Sequence, residues 1–190
     1  MKARVAATAA GAFAIGALVA VSAFAMRPMW FGTAASIRPA WTEEPWPFLR
    51  DQWGAGKAFH CKAADCGSDV AVYVRAKVGF CNCTTGVADD EELDRISDFA
   101  LFADRFVPER PGHEVSVAWT KGKSRSRAFS MEASQQTPQT VLSIGINDRC
   151  DAVVATAVAG GTSPEAIEPL VIDLLNSKPV LRWAEVTLGL

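Results

Sequence analysis

Five cysteines are the residues whose type and spacing point most directly to chemistry. Cys61, Cys66, Cys81 and Cys83 fall within 23 residues, as Cys-x4-Cys followed by Cys-x-Cys, and Cys150 stands apart. In an oxidising compartment such a cluster is a disulfide framework. Cys81 and Cys83 are two apart on a stretch read as a strand, so both side chains share one face and a direct bond between them would be strained. Each is expected to pair with Cys61 or Cys66 on the preceding turn, giving two disulfides and leaving Cys150 as a free thiol. The connectivity stays open, because four cysteines allow three pairings and Cys150 competes as a fifth. The alternative chemistry is a four-thiolate zinc or copper site, with Cys66-Gly67 as a knuckle end and His60 as a spare nitrogen ligand. Both spacings depart from paired Cys-x-x-Cys, and the lack of that motif also counts against a catalytic redox pair. Outside the metal alternative no cofactor is expected.

A second pattern is basic. Lys121, Lys123, Arg125 and Arg127 recur at every second residue, which on a strand places all four on one face. The expectation is a solvated outer sheet face near a hairpin tip. As a binding surface it would meet an anionic partner, either lipid headgroups or an acidic protein patch. Gly54-Ala55-Gly56-Lys57 resembles part of a phosphate loop, but Asp51 stands at the first glycine position and Ala58 at the Ser/Thr position, so a turn is expected. Cys150 and His113 have the types of a nucleophile and its base, and nothing in the sequence brings them together. G-x-S-x-G, H-E-x-x-H and G-x-G-x-x-G are all absent.

The elements that must position these residues begin with an apolar run. Lys2 and Arg4 precede an uncharged stretch from Val5 to Met26, rich in alanine, that ends near Ala23-Phe24-Ala25. This layout is that of a signal peptide cleaved after Ala25. The alternative is an uncleaved inner-membrane anchor, with membrane contact through residues 5–26. Either way the rest of the chain is expected outside the cytoplasm, in the periplasm or facing the envelope. Residues 26–52 carry Pro28, Pro39, Pro45 and Pro47 with Trp30, Trp41 and Trp46, and read as a tether, its aromatics either at a membrane interface or folded back as an extended arm.

Residues 53–190 read as one α+β domain, an antiparallel sheet of hairpins with helices on one side. Val70, Val72 and Val74 alternate as a strand, and Val78–Cys81 is expected to return beside it. Asp89 caps a helix with Glu92 three residues on. Val115, Val117 and Trp119 predict a strand paired with 125–131, and a polar loop spans 134–138. Residues 140–147 and 152–158 predict a hairpin. Ser163-Pro164 opens a helix whose inner face is Ile167, Leu170, Val171, Leu174 and Leu175, with Pro169 as a kink, and Ser177 caps a last short helix.

The stretches Cys61-Lys62-Ala63-Ala64-Asp65-Cys66-Gly67 and Gly79-Phe80-Cys81-Asn82-Cys83-Thr84-Thr85-Gly86, with the tail from Arg182 to Leu190, resemble a group of small exported bacterial proteins without assigned activity. The resemblance implies export and carries over no catalytic residue. The late order of hairpin, helix and end resembles the Mog1/PsbP-like α+β fold. Composition narrows function further. Hydrophobic residues at 49% exclude a wholly disordered chain, and a net charge of -2 argues against nucleic acid as a partner. The expected function is a non-enzymatic, disulfide-stapled module that binds an envelope protein or an anionic surface. A metal-binding protein is the alternative, and an enzyme using Cys150 comes third.

Overall fold

A computed structural model describes residues 39–131 and 139–190. The apolar run 5–26, the tether as far as residue 38 and the loop 134–138 lie outside the described residues.

The alternation at Val70 builds the strand it predicts. In β3 (Val70–Lys77), Val70, Val72 and Val74 are fully buried on one face, while Tyr73, Arg75 and Lys77 leave on the other. Both edges of β3 are occupied, by β2 (Lys57–Cys61) and by β8 (Asp151–Gly160). Val78–Cys81 therefore has no edge to return along. The expected second strand is a turn, closed by the Phe80 N–H on the Lys77 carbonyl at 3.3 Å. The predicted late hairpin is present as β7 (Gln139–Asp148) with β8, turning through Arg149 in the left-handed region (φ 54°).

The remaining strands are β1 (Thr42–Glu44), β4 (Phe106–Pro108), β5 (His113–Glu114) and β6 (Ser124–Met131). Among the described residues they complete one eight-stranded antiparallel sheet in the order β1-β2-β3-β8-β7-β6-β4, with β5 also on β6. The strand expected at 115–119 is absent: those residues are loop and turn, and only the two residues of β5 just before them pair with β6. Val117 instead buries in the core, and Trp119 turns to donate its indole N–H to the Leu175 carbonyl at 3.0 Å. Part of the segment 39–52 lies against the sheet as an extended arm. β1 pairs Thr42 with His60 and Glu44 with Ala58, and Trp41 packs on the core. Pro45 and Pro47 then stop the strand after three residues.

Helices cover both faces of the sheet, correcting the one-sided arrangement. On the Val72 face lie α3 (Pro164–Leu175) and α4 (Lys178–Leu188), burying Ile167, Val171, Leu174, Leu175 and Val180. α3 runs through Pro169, and Ser163 and Ser177 stand at the two N-caps without making the side-chain cap bond. On the opposite face, α2 (Asp90–Ile96) is capped as predicted, the Asp89 carboxylate accepting the Glu92 N–H at 2.8 Å. It presses Leu93 and Ile96 onto Gly145 of β7, where an added Cβ would lie 2.8 Å from the Leu93 side chain. That glycine lets a short helix sit directly on the sheet. A four-residue turn of helix, α1 (Ala63–Cys66), links β2 to β3.

Candidate functional site

The structure redistributes the cysteines. Cys61 bonds to Cys66 across α1, and Cys83 bonds to Cys150 at the β7–β8 turn. Cys81 is the free thiol, buried against Val87, Leu93 and Ile96. The expected cross-pairing of Cys61 and Cys66 with Cys81 and Cys83 is thus replaced. The reason is distance: Cys61 sits beside the first residue of β3, whereas Cys81 and Cys83 follow its last, and eight strand residues span about 26 Å. The same separation keeps the four from assembling as one tetrahedral metal site. Among the described residues no three of His, Cys, Asp and Glu converge on a metal position. Cys150 is no free nucleophile, and His113 pairs instead with Glu168, its Nε2 3.0 Å from Oε1.

The basic ladder splits in two. Lys121 and Lys123 lie in the turn before β6. Arg125 and Arg127 are on β6 and face α2, not solvent. Arg125 Nε donates to Asp90 Oδ1 at 2.6 Å and Arg127 Nη1 to Asp94 Oδ2 at 2.6 Å. The expected solvated face is therefore a clamp holding the helix on the sheet. The acids of the helix respond unequally. Burial pushes Asp90 up, but the Gly112 N–H and the two guanidiniums outweigh it and hold its carboxyl below the usual range. At Asp94 burial wins over Arg127 and the carboxyl is raised.

A second ionic cluster lies further along the same face. Arg75 and Lys77, both nearly sealed from solvent, converge on the buried Asp98 just after α2. Arg75 Nε donates to Asp98 Oδ2 at 2.9 Å, its Nη1 donates to Asp51 Oδ2 at 2.8 Å, and Lys77 Nζ reaches the Ile96 carbonyl at 2.6 Å. Burial pushes the Lys77 ammonium down, against the pull of Asp98. Two buried cations are balanced here by one buried and one half-exposed carboxylate. The cluster fixes Asp98, and with it the 3-10 turn Phe99–Leu101 and the loop to Arg105.

That loop forms one wall of a groove of about 960 Å³. Its floor is Ala71 and Tyr73 of β3 with Val158–Gly160 of β8, and Phe48 from the arm closes one side. Phe48 packs edge to face on Tyr73 and on Phe102, with ring centroids 5.0 Å apart, Tyr73 and Phe102 tilt against each other at 5.2 Å, and Trp46 backs them. Asp69, Asp104, Arg105 and Gln139 supply the polar groups. Burial, reinforced by Glu44, raises the Tyr73 hydroxyl, which stays a neutral donor and acceptor. The described lining holds no serine, cysteine, histidine or lysine. The lining offers apolar and aromatic contact together with charged groups at its edge.

None of the residues expected to act lies in this groove. Those that build it were missed: Tyr73 is the only tyrosine of the chain, which was a signal, but Asp98 and Phe102 carry no motif. No family model matches the chain. No curated protein matches it. Among solved structures, a Pseudomonas aeruginosa protein of unknown function, PA94, is similar at 7% identity with a TM-score of 0.38, over 74% of this chain and 82% of that one. So remote a likeness carries no argument about ligand or activity, and the comparisons show neither the exported-protein group nor the Mog1/PsbP-like fold.

Proposed function

We propose that the protein is an exported, non-enzymatic binding module that takes an extended segment of an envelope protein into the Tyr73–Phe102 groove. The observation that carries this reading is the groove itself: an aromatic floor, a wall fixed by a buried ionic cluster, and no catalytic pair in its described lining. Asp69 and Asp104 against Arg105 make its rim net acidic, which favours a segment of apolar side chains interspersed with lysine or arginine. Two disulfides are compatible with an oxidising compartment, and the layout of residues 1–25 supports export.

The test is titration of the purified protein with two peptides, one alternating leucine and lysine, the other leucine and glutamate, followed by calorimetry and amide shift mapping. The leucine–lysine peptide is expected to bind, with shifts confined to Tyr73, Phe102 and Gly160. Asp104→Lys, an exposed change, should weaken that peptide about tenfold and leave the melting temperature unchanged. Binding of neither peptide, or shifts away from the groove, would overturn the reading. An N-terminus at Met26 in envelope-recovered protein is the expected sign of export with cleavage, whereas intact Met1 would mean the anchored form.

A further inference from the structure

The disulfide at the β7–β8 turn has three cysteines around it, not two. Cys83 is bonded to Cys150, with Cα atoms 4.2 Å apart. Independently, the Cys81 N–H donates to the Cys150 carbonyl at 3.0 Å. With standard covalent lengths, one such bond holds the two Cα atoms under about 7 Å apart, which overlaps the ~4.4–6.8 Å range over which cysteines can be bridged. Cys150 thus has two candidate partners, one on each side of Asn82. They differ in exposure: Cys81 is buried under α2, and Cys83 is at the surface. Loop entropy does not choose between them, because a bridge from Cys81 closes a loop only two residues longer than one from Cys83.

We propose that this bridge is exchangeable, and that its transfer from Cys83 to Cys81 presents Cys83 as a surface thiol for covalent attachment to a disulfide-bearing partner. The Cys81 thiolate sulfur attacks Cys150 Sγ. The Cys81–Cys150 bond forms as the Cys83–Cys150 bond breaks, and the electron pair leaves on Cys83 Sγ, which takes the proton that Cys81 gave up. One disulfide and one thiol are present before and after, so no oxidant or reductant is consumed. The freed Cys83 thiol, on losing that proton to solvent, can then attack a partner's disulfide, forming a mixed disulfide and releasing one partner thiolate, which takes up a proton in turn. The inner location of Cys81 sets the rate. Burial, with Glu92 adding to it and Arg95 opposing, pushes its thiol up to about 11, so little thiolate is present at neutral pH and the outer bridge persists.

The experiment is native labelling of the oxidised full-length protein with N-ethylmaleimide at pH 7 and pH 9.5, quenched in acid and mapped by peptide mass. Label is expected on Cys83, together with a Cys81–Cys150 linked peptide. Its rate should rise about 300-fold between the two pH values, following the thiolate fraction of a group near 11. Cys81→Ser should remain unlabelled and keep the Cys83–Cys150 bridge. Label on Cys81 itself, or no label at either pH, would overturn the proposal. Cys83→Ser gives a second route, since on oxidation with glutathione disulfide it should form Cys81–Cys150, and two persisting free thiols would also refute exchange. The inference does not depend on the groove, and neither outcome bears on peptide binding.

Discussion

Removing the two disulfides one at a time should cost unequal amounts, because they close very different lengths of chain. Cys61–Cys66 spans five residues and Cys83–Cys150 spans 67. In the chain-entropy account the short loop restricts the unfolded state by about 2 kcal/mol and the long one by about 4 kcal/mol. The perturbation is Cys61→Ala with Cys66→Ala, both buried, against Cys83→Ser, exposed, with Cys150→Ser, half-buried. At roughly 2–4 °C per kcal/mol for a chain of this size, the long-loop variant should melt roughly 8–16 °C lower and the short-loop variant roughly 4–8 °C lower. Urea unfolding supplies an independent readout. Only loss of the 67-residue crosslink should steepen the denaturant dependence, since the unfolded chain then expands and exposes more surface. Equal losses, a larger loss for the short loop, or an unchanged slope in the long-loop variant would refute the reasoning.

The arginine clamp and the carboxylates it holds give two further expectations. Arg125→Ser with Arg127→Ser should cost about 2–4 kcal/mol in urea unfolding, because charge-assisted bonds to Asp90 and Asp94 are lost under a helix. Lys121→Ser with Lys123→Ser, in the preceding turn, should stay within about 0.5 kcal/mol. In acid, Asp51, Asp90 and Glu92 have folded values below their unfolded ones, so their stabilisation is complete above about pH 4.5 and is lost as pH falls through the folded values. Asp94 has the opposite sign: its raised folded value makes the folded state bind a proton first, which offsets part of that loss. Asp90→Asn should therefore flatten the acid limb of stability against pH, and Asp94→Asn should steepen it.

What the sequence made legible was the part of the fold written in local periodicity. The Val70–Val74 alternation, the Asp89 cap and the heptad-like face of α3 each report on a window of a few residues, and each appears in the structure. What it concealed depends on which elements meet. Val78–Cys81 has strand-like residues but no free edge to join, since β2 and β8 already flank β3. Arg125 and Arg127 alternate like an open face, and only the arrival of α2 makes them a clamp. The cysteine pairing was hidden for the same reason: Cys150 is remote in sequence and next to Cys81 and Cys83 only through the β3–β8 pairing. The groove was least legible of all, because its aromatic residues come from the arm, a central strand and the loop after α2, with no shared spacing.

The placement of β8 between β3 and β7 also sets the order of assembly. Val70 is paired with Ala159 and Lys77 with Ala152, so the centre of the sheet joins segments 75 to 89 residues apart in the chain. Contacts this distant in sequence are slow to form, because a long loop must be closed before any of them is gained. On the ribosome, β1, β2 and β3 emerge with no partner for β3's inner edge until Asp151–Gly160 has been synthesised. A nascent chain of this kind cannot complete the centre of its sheet until most of its synthesis is done. The Cys83–Cys150 bond can then lock the returning hairpin as it arrives, closing a 67-residue span of chain around the late-formed centre of the sheet.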